Sequence, residues 1–111
     1  MKIFVSQPMR QKSEREIFNT MMEAVKDCRK IYKYTDGLTV LKSYFSDIEI
    51  EENKKIVNEG VYLLGKSIEL MAEADVVYFC QGWEKAKGCV LEHECALAYG
   101  LEIIEDYKKG E

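Results

Sequence analysis

A chain of 111 residues has room for one hydrophobic core and one domain. Its 16 basic and 20 acidic residues leave a net charge of −4, which argues against a nucleic-acid backbone as the main ligand, since neutralising a run of phosphates requires a basic face. Apolar residues make up 47% of the chain, yet no apolar run approaches the roughly 20 residues needed to cross a bilayer, so no membrane partner is expected.

Met1-Lys2 runs straight into an apolar stretch with no signal-peptide region, so a cytoplasmic protein is expected. Lys2-Ile-Phe-Val5 reads as a first buried strand, left through Ser6-Gln7-Pro8, because Pro8 cannot continue a central ladder. Ser13-Glu14-Arg15-Glu16 fits a capping box. The helix it opens carries Ile17, Met21, Ala24, Val25, Cys28 and Ile31 at helical spacing and should run to about Lys33, with Thr35-Asp36-Gly37 as its stop.

Leu38 to Phe45 is β-branched and aromatic enough for a second strand, parallel to the first because a helix joins them. Ser46 to Asn58 is charged and weakly patterned, and is expected to be a mobile loop with a short helical turn, lying over the sheet's carboxyl edge as a lid. Val61, Leu64, Ile68 and Met71 mark a second helix, and Asp75 to Cys80 a third strand. The last helix should span Gly88 to Tyr99, stopped by Gly100, before a fourth strand at Leu101 to Ile104 and a charged tail. This order gives an α/β fold: a three-layer α/β/α sandwich with a four-stranded parallel sheet of order 2-1-3-4, flavodoxin/Rossmann-like, as a single domain over residues 1–111.

Gly60-Val-Tyr-Leu-Leu-Gly-Lys-Ser67 satisfies the phosphate-loop pattern G-x-x-x-x-G-K-[ST] letter for letter. Its mechanism needs a preceding strand and a flexible loop, whereas a polar stretch precedes it and Val61 to Leu64 is bulky and in helical register. A helix is expected instead. Cys28, Cys80, Cys89 and Cys95 show no C-x-x-C or zinc spacing, so reduced and mostly buried thiols are expected. Cys89 and His93 share a helix face, but neither a metal nor a cofactor is expected.

Glu92 falls in the first turns of the last helix, beside a stripe of Leu91, Cys95 and Ala98 expected to face the sheet. The helix dipole would favour its ionised form, suiting a nucleophile or a ribose-binding group; an acidic residue that merely stabilises a helix start has the same signature. His93 lies about 100° further round the helix, is not expected to take part in chemistry, and Glu94 should face solvent. The loop before the helix offers Lys85, Lys87 and Gly88 as an anion site, to which Arg10 and Arg15 could contribute. Trp83 reads as a lid on a base or as a packing residue at a subunit contact.

Three segments carry a family resemblance: Lys2-Ile-Phe-Val-Ser-Gln-Pro-Met9, the strand entry Ala74-Asp75-Val-Val, and Gly88-x-x-x-Glu92-x-x-x-Ala96-x-Ala98-x-Gly100. Together they resemble the nucleoside 2-deoxyribosyltransferases and the related 2'-deoxynucleoside 5'-phosphate N-hydrolases, and in detail a short, DUF4406-like branch found in bacteria and phages. The resemblance implies that Glu92 is the catalytic residue, attacking the anomeric carbon of a nucleoside or nucleotide. It further implies substrate-binding roles for Ser6, Gln7, Pro8 and Met9 on one wall and for Trp83, Lys85, Lys87 and Gly88 on the other, in a homo-oligomer, most simply a dimer. Ser67 stands where the hydrolases carry an aspartate that works on the sugar and leaving base, and a serine cannot shuttle a proton at neutral pH. The alternative is a non-catalytic nucleotide- or nucleoside-derivative-binding protein of the same fold.

Overall fold

In the computed structural model residues 1–33, 37–41 and 55–106 are described. Their elements are β1 (Lys2–Ser6), α1 (Glu14–Tyr32), β2 (Thr39–Leu41), α2 (Glu59–Met71), β3 (Val76–Phe79), a 3-10 turn (Trp83–Lys85), α3 (Lys87–Ala98) and β4 (Ile103–Glu105). The strands form a parallel sheet in the order β2-β1-β3-β4, with Ser6 opposite Phe79 at the carboxyl end of the central pair.

Side-chain alternation along β1 decides which layer each helix joins. Ile3 and Val5 point to one face, where they pack with Ala24 and Cys28 of α1 and with Val76, Tyr78 and Cys80. Phe4 points to the other, against Leu41, Met71, Val77, Phe79, Trp83, Cys89 and Ala96, which brings in α2 and α3. Helices therefore cover both faces, as the sandwich requires. Ser6, two residues beyond Phe4, is turned toward α2 and α3. The strand order reverses between β1 and β3, the place where open α/β sheets leave a crevice at the carboxyl edge.

The capping box at the start of α1 forms as its residues predict: Glu16 N donates to Ser13 Oγ at 3.1 Å, and Ser13 N donates to Glu16 Oε1 at 2.8 Å. The helix ends at Tyr32 with Lys33 in the left-handed region; of the expected stop, residues 35 and 36 lie outside the described residues. Ile31 departs from the expected core stripe, being 53% exposed, and Tyr32 beside it packs against the core instead. β2 is described only over Thr39–Leu41; positions 42–45 of the expected strand and 46–54 of the expected lid lie outside the described residues. The phosphate-loop pattern lies within α2, whose N-cap Asn58 accepts from Val61 N at 3.0 Å.

Two helix faces differ from expectation. On α2, Val61 is 66% exposed and Ile68 is also exposed, while Ser67 and Met71 are buried. On α3, Leu91 is 44% exposed and Ala98 also faces out, whereas Cys89, Glu92, His93 and Ala96 are buried. The reason is chemical: Ala96 and Cys89 are small enough to let α3 approach the sheet, and the two polar residues on that face each find a hydrogen-bond partner, which offsets the cost of burial. All four cysteines are free, and Cys28, Cys80 and Cys89 are buried. Among the described residues no helix is long and apolar enough to cross a membrane.

Candidate active site

A cavity of about 660 Å³ opens at the switch point, within the range of roughly 300–1,000 Å³ common for small-molecule sites. The β1 exit supplies Ser6, Gln7, Pro8, Met9 and Arg10. From α2 come Gly60, Leu63, Leu64 and Ser67, and the far wall is Gly82, Lys85, Ala86, Lys87, Gly88, Cys89 and Glu92. Thus Ser6, Gln7, Pro8, Met9, Ser67, Lys85, Lys87, Gly88 and Glu92 are all brought to one hollow. Arg10 joins them, and Arg15 does not line it.

Glu92 is the chemical focus. It is only 8% exposed, and Ser6 Oγ donates to its Oε1 at 2.6 Å. The Ser67 hydroxyl hydrogen-bonds the same carboxylate, so β1, α2 and α3 converge on one side chain. Burial pushes the Glu92 carboxyl above its ordinary range, and the two serine hydroxyls pull it partly back. This corrects the expectation that the helix dipole sets its ionisation. Glu92 is the sixth residue of α3, beyond the first turn over which the dipole acts, and desolvation dominates.

Other lining groups have more limited chemistry. Gln7 is tied to the scaffold, its Nε2 donating to Ile17 O at 3.0 Å and its Oε1 accepting from Lys12 Nζ at 3.3 Å. Cys89, one turn before Glu92 on the same helix face, has its thiol pushed up to about 11, chiefly by burial, so it presents a neutral S–H. Sequence reasoning did not place Cys89 in the site, although its spacing of three from Glu92 was a usable signal. Lys85, Lys87 and Arg10 are exposed around the mouth. The N-cap of α3 is Ala86, which provides no side-chain cap, so the first amides of the helix are left to solvent or to a ligand.

Trp83 departs from its expected place on the cavity wall. It is 7% exposed and packed in the core, stacked on His93 at 4.1 Å between centroids and tilted against Phe79 at 5.4 Å. An aromatic ring four residues beyond the end of β3 gains more from this nest than from a solvent-facing wall. His93 points away from the cavity, its Nε2 bonded to Glu105 on β4. Asp75 lies at the opposite edge of the sheet, accepting from Lys2 N at 2.7 Å. Glu94 is exposed, and the Tyr78 hydroxyl is bonded to Asp27 on the face away from α3. Among the described residues no group of three or more His, Cys, Asp or Glu side chains is placed to hold a metal ion.

Fold and cavity together define a parallel α/β sandwich with a buried carboxylate at its switch point. Residues 1–105 match the family described as "Domain of unknown function (DUF4406)", and the chain belongs to that family. Comparison with curated proteins and with solved structures gave no match.

Proposed function

We propose that this protein cleaves or exchanges the N-glycosidic bond of a nucleoside or nucleotide, with Glu92 as nucleophile. The observation that carries the reading is the buried Glu92 carboxylate, held by Ser6 and Ser67 in a nucleoside-sized cavity beside the first-strand exit. In the first step a Glu92 oxygen bonds to the anomeric carbon as the carbon–nitrogen bond breaks, and the electron pair leaves with the base, which takes a proton from solvent. Water, or a second base, then attacks the same carbon and frees the carboxylate. The two serine donors orient the attacking group and favour its charged form. Lys85, Lys87 and Arg10 at the mouth are suited to a nucleotide's phosphate. A homodimer is part of this proposal, through the family resemblance.

One observation favours a second reading. Glu92 is the only carboxylate lining the cavity among the described residues, and Ser67, which lines it too, stands by the family resemblance where the hydrolases carry an acid that assists the leaving base. A protein so built would bind a nucleoside derivative without turning it over. The two are separated by incubating the protein with deoxynucleosides and their 5'-monophosphates and following free base by chromatography. Release that disappears in a folded Glu92→Ala variant supports the enzyme; saturable binding without release supports the binder. Light scattering on the eluting protein tests the dimer.

A further inference from the structure

We propose that His93 is a positioning residue for the cavity: stacked on Trp83 and bonded to Glu105, it fastens the Gly82–Gly88 wall and the Glu92-bearing turn of α3 to β4. It rests on the proposed function only in treating the cavity as a ligand site.

Glu92 and His93 are neighbours about 100° apart on α3, and both are buried. One reaches across to Ser6 on β1, the other to Glu105 on β4, so the pair spans the sheet on either side of β3. A rotation of α3 that withdrew Glu92 from Ser6 would have to break the Glu105 bond as well. Because a carboxylate only accepts, the proton of that bond sits on Nε2, which fixes the edge the ring turns to β4. The ring's face is held as well: it is nearly parallel to Trp83, at 17°, and stands edge-on to Phe79 at 4.8 Å.

Trp83 opens the short 3-10 turn whose next residues, Lys85 to Gly88, form the cavity's far wall. The turn is closed by backbone bonds, Lys85 N to Gly82 O and Ala86 N to Trp83 O, each at 3.1 Å, and Trp83 is the side chain by which it enters the core. Gly82 precedes the turn at φ +89, and Ala86 caps α3 without a side-chain bond. The Trp83–His93 stack adds a side-chain tie, beyond the Ala86–Val90 backbone bond, between the wall and the turn of α3 that carries Glu92. A side chain chosen only to fill the core at position 93 would be apolar; an imidazole with a bonded edge fixes rotation as well as volume.

Three variants separate positioning from packing: His93→Phe keeps a ring on Trp83 and loses the Glu105 bond, Glu105→Gln weakens that bond alone, and His93→Ala loses both. Amide hydrogen exchange is read by mass spectrometry over residues 82–92, with α1 as internal reference. Emission from Trp83, the only tryptophan, reports the stack directly. In His93→Ala, exchange over 82–92 should accelerate roughly tenfold with α1 unchanged, the effect of losing one stacked contact and one partly buried hydrogen bond. His93→Phe should restore the Gly82–Gly88 wall but not the Glu92 turn. Acceleration spread evenly into α1, or none in any variant, overturns the proposal. Deoxyadenosine 5'-monophosphate is then used as probe: if it is cleaved, His93→Ala should lower kcat through the displaced Glu92 turn and His93→Phe should not restore it, and unchanged kcat and KM in His93→Ala overturn the positioning role. If the unmodified protein releases no base while exchange is altered locally, the glycosidic reading fails and the His93 inference stands.

Discussion

The bond between Ser6 and Glu92 makes a pH-dependent contribution whose sign and size follow from its surroundings. Ser6 is 2% exposed and donates at 2.6 Å to a carboxylate that burial drives toward its neutral form. Ser6→Ala removes one oxygen and leaves Cβ in place, so the loss is mainly of a donor. A hydrogen bond to a charged group contributes about 1.5–3 kcal/mol, and a neutral one about 1 kcal/mol. Glu92→Gln keeps the shape and a neutral bond, so a double-mutant cycle isolates the charge-assisted surplus, about 0.5–2 kcal/mol. The folded-state pKa of Glu92 lies above its unfolded value, so its contribution to stability is fully present below the unfolded pKa and is lost as pH rises through the folded one. Ser6 opposes that loss only once Glu92 is ionised. In urea unfolding the coupling should therefore approach zero near about pH 4 and reach its full value near about pH 8, a midpoint shift on the order of 1 M. A coupling near zero at the higher pH, or one equal at both, would refute the reasoning.

The same raised pKa predicts that base release declines with acidification at a pH above the ordinary carboxylate range, and that Ser6→Ala moves this limb higher still; a limb that does not move removes Ser6 from the site's electrostatics. Ser13→Ala should cost about 1 kcal/mol in urea unfolding, by dismantling the α1 cap. Gly82→Ala should cost about 1–2 kcal/mol from strain at φ +89, since the new methyl would meet only Pro8 Cγ at an ordinary 3.7 Å; an unchanged stability would refute that. Peptide-resolved alkylation of Cys89 should be slow at neutral pH and rise toward the thiol's value of about 11; fast labelling at neutral pH would contradict a desolvated thiol.

Elements were readable where punctuation is local. Pro8 ends β1, Ser13 and Glu16 open α1, and Gly100 follows α3, each through chemistry that acts within a few residues. The sheet order followed from strands alternating with helices. The inner face of α3 was not readable, because Leu91, Cys95 and Ala98 form as good an apolar stripe as Cys89 and Ala96. The buried face is decided by Ser6, 86 residues away, and by Glu105, 12 residues on. Trp83 was misplaced for the same reason: its partner His93 is polar by composition and apolar by contact, a property that only the folded chain displays. The lining role of Ser6 to Met9 came through family resemblance and strand position together, while Ser67 was noticed for an acid it lacks and proves to be a partner of Glu92.

The carboxylate at the switch point draws its donors from the first strand and from a helix in the middle of the chain, and is itself carried by the last helix. A half-assembled form missing either serine would enclose an acid without enough partners and would be driven to hold it protonated or to expose it. Ionised Glu92 in the cavity is thus a signature of complete assembly, reached only when distant parts of the chain have met.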